Sequence, residues 1–139
     1  MTNRKIYITQ KDKSKLKSLL SAAIGVCSSD LNNVKGLLEE IERAEVISDY
    51  NIDENVITMN STVVIKDIDA GKEFEYTIVY PEYANSSKNK ISVLTPIGTV
   101  LLGYRVGDII EWKLHGIKRR FQVQQILFQP EAAFRLLKK

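Results

Sequence analysis

The chain has 139 residues, 20 Lys and Arg against 17 Asp and Glu, a formal net charge of +3, a 44% apolar share and a 27% charged share. These values fit one globular domain, or a small domain with an appendage, and exclude wholesale disorder. A single Cys excludes an internal disulfide framework, and one Cys with one His excludes the usual zinc sites; +3 is too little charge to argue for nucleic acid. No apolar run approaches the roughly 18 residues of a membrane span. The start, Met1 to Tyr7, lacks the apolar core of a signal peptide. The expectation is a soluble, cytoplasmic protein.

The charge is unevenly spread. Residues 1–20 carry +5, residues 30–45 carry −3, and the remainder holds 12 basic against 11 acidic groups. Two oppositely charged helices folded on each other would attract along their flanks and so fix their pairing. The periodicity agrees. Leu16, Leu19, Leu20, Ala23 and Ile24 form one apolar stripe at helical spacing. Thr9 is placed to cap this first helix, with Asp12 in capping-box position. Gly25 marks its end. Ser28, Ser29 and Asp30 are cap residues for a second helix, in which Leu31, Val34, Leu38 and Ile41 keep a 3-4-3 spacing. Each helix reads as roughly 15 residues, about 22 Å long, and the short link forces an antiparallel helical hairpin, a short coiled coil.

From residue 55 the period changes to alternation. Ile57, Met59, Ser61, Val63 and Ile65 share one strand face, and Asp69 to Lys72 is a turn. Phe74, Tyr76, Ile78 and Tyr80 alternate in a second strand that Pro81 ends, followed by a polar loop over 82–90. Ile91 and Val93 begin a third strand. Pro96 opens a short helix to Leu102, with Gly103 as its stop. After a turn at Gly107-Asp108, Ile110, Trp112 and Leu114 alternate in a fourth strand. His115-Gly116 connects it to a fifth, with Phe121 and Val123 inward. The apolar phase then slips to Ile126 and Phe128, which a β-bulge at Gln124-Gln125 would reconcile. The predicted fold class is α+β: a hairpin over 1–48, then a twisted antiparallel sheet with one short helix over 49–139.

Chemistry-bearing motifs are scarce. Gly103 to Gly107 lacks the Lys-Ser/Thr of a phosphate loop. Cys27 lies at the hairpin tip, remote in sequence from His115, and both have ordinary readings as a free thiol and a solvated turn residue. Of Lys118, Arg119 and Arg120, only the first and third share a strand face, and no aromatic residues interleave them. Glu39 and Glu40 point about 100° apart on a helix, and the expectation is a solvated face. No catalytic, cofactor or metal site is assigned.

Four segments together are specific: Val56-Ile-Thr-Met-Asn-Ser-Thr-Val63; Val79-Tyr-Pro81; Ile91-Ser-Val-Leu-Thr-Pro-Ile-Gly-Thr-Val-Leu-Leu-Gly-Tyr-Arg-Val-Gly-Asp108; and Gln129-Pro-Glu-Ala-Ala133. With them the chain resembles the GreA/GreB family of transcription elongation factors, and its Rnk branch of nucleoside diphosphate kinase regulators, over about residues 5–134. The resemblance implies an FKBP-like C-terminal domain behind a coiled coil, and binding to bacterial RNA polymerase at the secondary channel. It implies docking through Leu94, Thr95 and Pro96, the loop entering the short helix. The residues themselves leave open whether Leu94 and Pro96 are interface, or core and helix start.

In the longer Gre factors, acidic residues at the coiled-coil tip hold a catalytic metal in the polymerase, which needs carboxylate oxygens because Mg²⁺ is a hard cation. The tip in this chain, with Ser28, Ser29 and Asp30, offers one carboxylate, and the arm is short. The expectation is a monomeric, non-catalytic regulator that occupies the channel and excludes longer factors, with direct nucleic-acid contact weak or absent. Two alternatives are a peptide-binding or prolyl isomerase module with Trp112, Tyr76 and Phe121 lining a pocket, and a weak nucleic-acid-binding domain centred on Arg119.

Overall fold

The computed structural model describes residues 6–26, 31–48, 51–114 and 116–137; the side chains at 24–26, 31–33, 96, 112–114 and 134–137 fall outside this description. A two-residue strand β1 (Tyr7–Ile8) leads into helix α1 (Gln10–Val26), followed by α2 (Leu31–Glu42) and a second two-residue strand β2 (Glu45–Val46). β1 and β2 pair in parallel, a contact that the sequence periodicity does not announce, because two residues are too few to show a period.

The expected stripe of α1 is present: Leu16, Leu20 and Ala23 are buried and Leu19 packs against them. On α2 the stripe is shifted. Val34, Leu37 and Ile41 are buried, whereas Leu38 is only partly so, so the seam follows the 3-4 step through Leu37 rather than the 4-3 step through Leu38. Lys13 of α1 donates to the carbonyls of Ala44 (3.0 Å) and Glu42 (3.4 Å). That places a cation at the C-terminal end of α2, where the helix dipole favours one.

Five strands form the main sheet in the order β5-β4-β3-β7-β6: β3 (Thr62–Asp67), β4 (Lys72–Val79), β5 (Lys90–Ser92), β6 (Ile109–Leu114) and β7 (Ile117–Phe128). The sheet is mixed rather than antiparallel, since β5 runs parallel to β4. Alternation fixes which face a strand buries and is silent about its direction; the chain turns twice over residues 81–88 and re-enters the sheet on the same heading. β3 is shorter than the alternation suggested. Ile57, Met59 and Ser61 are buried as expected, but Asn60 is in the left-handed region (φ 67), and the strand begins only at Thr62.

The bulge expected in β7 is found at Gln124: Ile65 pairs with Val123 and Val64 with Gln125. A second follows at Leu127, since Val63 pairs with Ile126 and Thr62 with Phe128. This second slip turns Phe128 outward, 49% exposed, where the sequence pattern had placed it inward. Between the sheet strands lies α3 (Pro96–Leu101), and the chain ends in a second helix of this region, α4 (Pro130–Leu137). The single-helix expectation missed α4, which is one short stretch with Pro at its first position.

One core joins the two parts. Ile6, Ile8, Leu16, Leu20, Val34, Leu37 and Ile41 belong to the same buried cluster as Ile57, Val63, Ile65, Leu101, Leu102 and Tyr104. α2 packs on α3. Gly103 (φ 89) sits where a Cβ would lie 2.7 Å from Ile6 Cγ1, so close approach and backbone conformation both require glycine there.

Candidate functional site

The loop between β5 and α3 is built from its backbone. The N–H of Val93 donates to the Val79 carbonyl (2.9 Å) and prolongs the parallel ladder by one residue. The chain then turns around Ser92. Its hydroxyl accepts from the Leu94 N–H (3.0 Å), and its carbonyl accepts from the Thr95 N–H (3.0 Å) and the Thr95 hydroxyl (2.7 Å). Thr95 caps α3, its Oγ1 accepting from the Gly98 N–H at 3.1 Å, and Pro96 takes a first-turn position where no N–H is needed. A Cβ at Gly98 would collide with the Ser92 carbonyl oxygen and lie 2.9 Å from Thr95 Oγ1. The Thr-Pro-x-Gly run is therefore the local solution to one tight turn into a helix.

Val93 is fully buried and Leu94 half-buried against the core, with Thr95 also half-buried. The structure thus brings Leu94 and Thr95 to one partly exposed turn, adjacent to the first residue of α3. Leu101 and Leu102 are core. Val106-Gly107-Asp108 is turn structure: the Asp108 carboxylate accepts from the Arg105 N–H at 2.8 Å, and the Gly107 N–H donates to the Val123 carbonyl. The tip residues Ser28, Ser29 and Asp30, like Cys27 and His115, lie outside the described residues.

The basic run on β7 is neutralised. Lys118 pairs with Glu111 (3.3 Å), Arg119 with Asp67 (2.6 Å) and Arg120 with Asp69 (2.8 Å). Asp67 is only 1% exposed in its side chain and also accepts from the N–H groups of Asp69 and Ala70. The Ala70 N–H most of all, then the Arg119 guanidinium, hold its carboxyl below the usual range against the opposing effect of burial. Such a cluster spends its charge inside the molecule. Two of the aromatic residues proposed for a proline pocket are likewise occupied; the side chain of the third, Trp112, lies outside the described residues. Phe121 is buried in the core, and Tyr76 stacks beside Phe74 with ring centroids 6.1 Å apart.

Three polar features escaped the sequence reading. Thr9 caps α1 as expected, accepting from the Asp12 N–H (3.2 Å). The Asp12 carboxylate, however, accepts from the Tyr80 hydroxyl (2.9 Å), so it ties α1 to the sheet rather than closing a capping box. Thr58, Ser61 and Glu131 form a buried chain, with Thr58 donating to Glu131 at 2.7 Å. Gln129 donates to the carbonyls of Val56 (2.6 Å) and Asp53 (2.8 Å). These last contacts span more than 70 residues, and no local signal reports them. They join the Val56–Val63 and Gln129–Ala133 segments, far apart in sequence, into one polar unit.

Beside Tyr80 lies a cleft of about 590 Å³, lined by Lys11, Asp12 and Lys15 of α1, by Tyr83 and Lys90, and by Phe128 at the end of β7. Lys15 Nζ stands 4.0 Å from the centre of the Tyr80 ring and 4.0 Å from the Glu82 carboxylate. Burial first, and then the Asp12 charge, push the Tyr80 hydroxyl well above its ordinary pKa. No helix among the described residues is long and apolar enough to cross a membrane.

The comparisons match this architecture piece by piece. Residues 52–128 match the family model of the GreA/GreB transcription elongation factor C-terminal region, and residues 4–47 match that of the Rnk N-terminus. The regulator of nucleoside diphosphate kinase of Escherichia coli K12 is 35% identical over 136 residues, 96% of each chain. The transcription elongation factor GreA of Chloroherpeton thalassium is 36% identical over 95 residues, covering 68% of this chain and 60% of that one. The solved structure of a GreA/GreB factor from Nitrosomonas europaea superposes with a TM-score of 0.74 at 36% identity, over 89% of this chain and 98% of that one. The matches cover both the helices and the sheet region, and the chain belongs to the Rnk-type members of the GreA/GreB transcription elongation factor family.

Proposed function

We propose that this chain is a transcription regulator that binds bacterial RNA polymerase at the rim of the secondary channel. It does so through an FKBP-like domain over residues 49–139, with the helices of residues 1–48 as a short antiparallel arm, and it does not stimulate transcript cleavage. It acts by occupying the channel and competing with longer factors. The observation that supports this most is the length of the arm. α1 has 17 residues and α2 has 12, or about 25 and 18 Å. The tip sequence supplies one carboxylate, Asp30, and a hard cation wants more than one oxygen ligand from such a tip. The docking edge is assigned to Leu94, Thr95 and Pro96, where a half-buried leucine precedes a capped helix.

The test is a stalled, backtracked elongation complex titrated with this protein, with and without a cleavage-competent Gre factor. The expected result is no cleavage by this protein alone, inhibition of the Gre factor, and recovery when the Gre factor is in excess. Asp30→Asn should leave the inhibition unchanged. Leu94→Asp should weaken polymerase binding by about tenfold or more, and Pro96→Ala by less. Cleavage by this protein alone, lost in Asp30→Asn, would overturn the reading.

A further inference from the structure

Among the described residues, the basic run on β7 and the lysines around the cleft beside Tyr80 are treated differently. Each cation of the β7 run has a carboxylate within 3.3 Å. Around the cleft beside Tyr80, no carboxylate of the described residues lies within ion-pair distance of Lys11 or Lys90, and Lys15 has only Glu82 at the 4.0 Å limit. The one carboxylate lining the cleft, Asp12, is engaged by the Tyr80 hydroxyl. The first turn of α1 adds the positive end of a 17-residue helix at the same place.

Aromatic surface meets this charge. Tyr83 and Phe128 both line the cleft and are 59% and 49% exposed. Phe128 faces outward only because of the second bulge in β7, and bulges commonly serve to re-aim a side chain. Thr62 and Thr77, hydrogen-bonded to each other at 2.8 Å, complete a polar wall. The volume of about 590 Å³ lies within the roughly 300–1,000 Å³ of small-molecule sites.

We propose that this cleft binds a nucleoside polyphosphate, its base against Phe128 and Tyr83 and its phosphates among Lys11, Lys15 and Lys90. The ammonium groups of Lys11 and Lys90, and that of Lys15 beside its long contact to Glu82, offer point charges to phosphate oxygens, and exposed rings offer a stacking face that any base can use. The site is separate from the Leu94–Pro96 edge and stands whether or not that edge docks polymerase.

The test is calorimetric titration of the full chain with ATP, inorganic tripolyphosphate, adenosine and a single-stranded RNA hexamer, all without divalent cation. ATP is expected to bind at one site per chain, about fivefold or more tighter than tripolyphosphate because of base stacking; adenosine should be weaker than either. Lys11→Gln with Lys90→Gln should weaken ATP and tripolyphosphate together, by about tenfold. Phe128→Ala should remove the advantage of ATP over tripolyphosphate while leaving tripolyphosphate unchanged. Amide shift changes on the unmodified chain, centred on Lys11, Tyr83, Lys90 and Phe128, give the same answer should a variant misfold. The proposal fails if ATP does not bind, or if its shifts map elsewhere. It also fails if ATP binds no better than tripolyphosphate, or if the RNA hexamer binds more tightly than ATP with a steep salt dependence, which would mark a nucleic-acid groove.

Discussion

The helical region and the sheet region are held together by different means. The sheet carries its own ladders, and its polar groups are closed over long sequence distances by Asp67–Arg119, Thr58–Glu131 and Gln129. The helices have one buried stripe each, and the deepest residues of those stripes are shared with the sheet region: Leu16, Leu20, Leu37 and Ile41 lie in one cluster with Leu101, Leu102 and Tyr104. Helices of 17 and 12 residues are marginal on their own, because nucleation is costly and most helical stability comes from tertiary packing. The sheet is therefore expected to fold without the helices, whereas the helices are expected to depend on it through a junction made of Ile6 against Gly103, Asp12 against Tyr80, and α2 against α3.

Removing residues 1–51 is the most severe way to break this asymmetry. The remaining chain is expected to unfold cooperatively but with a melting temperature lower by about 10 °C or more, since the face around Leu101 and Leu102 loses its cover. Circular dichroism melts check it; a non-cooperative transition would show that the sheet depends equally on the helices. Gly103→Val comes next. It places a β-branched side chain at φ 89 and against Ile6, and should cost about 2–3 kcal/mol by denaturant titration.

Tyr80→Phe is milder, with an expected loss of about 1 kcal/mol for one hydrogen bond across the junction. It has a pH signature. The folded-state pKa of Tyr80 is raised, so its contribution is complete below the unfolded value near 10. The contribution declines as pH rises above that value, because only the unfolded chain then loses the proton. Tyr80→Phe should flatten the alkaline side of the stability profile.

Asp67→Asn sharpens the comparison from the other side, since it lies wholly within the sheet. The folded pKa of Asp67 is lowered. Its contribution is therefore present above the unfolded value near 3.9 and is lost as pH falls through the folded one. The variant should flatten the acid limb of a pH series of melts by a small amount and leave the alkaline limb untouched.

Much of the molecule was legible without coordinates. The burial of Leu16 and Leu20, the switch to alternation, the cap at Thr9, the helix beginning at Pro96, and the bulge at Gln124 each follow from spacing or from the conformational demands of one residue. Those signals are local: a period, a cap or a turn is written within about ten residues. Pairing across the chain is not. The parallel course of β5, the β1–β2 pair, the second bulge that exposes Phe128, and the diversion of the Asp12 carboxylate to Tyr80 all depend on which distant backbone or side chain arrives opposite. The same holds for charge. Lys118, Arg119 and Arg120 are the more conspicuous basic run in the sequence, yet folding sets a carboxylate against each of them. Lys11, Lys15 and Lys90, scattered along the chain, are brought around one cleft. Sequence determines which residues want burial and which local turns the backbone can make. Only tertiary structure decides which charges are cancelled, because an ion pair is a statement about distance in space.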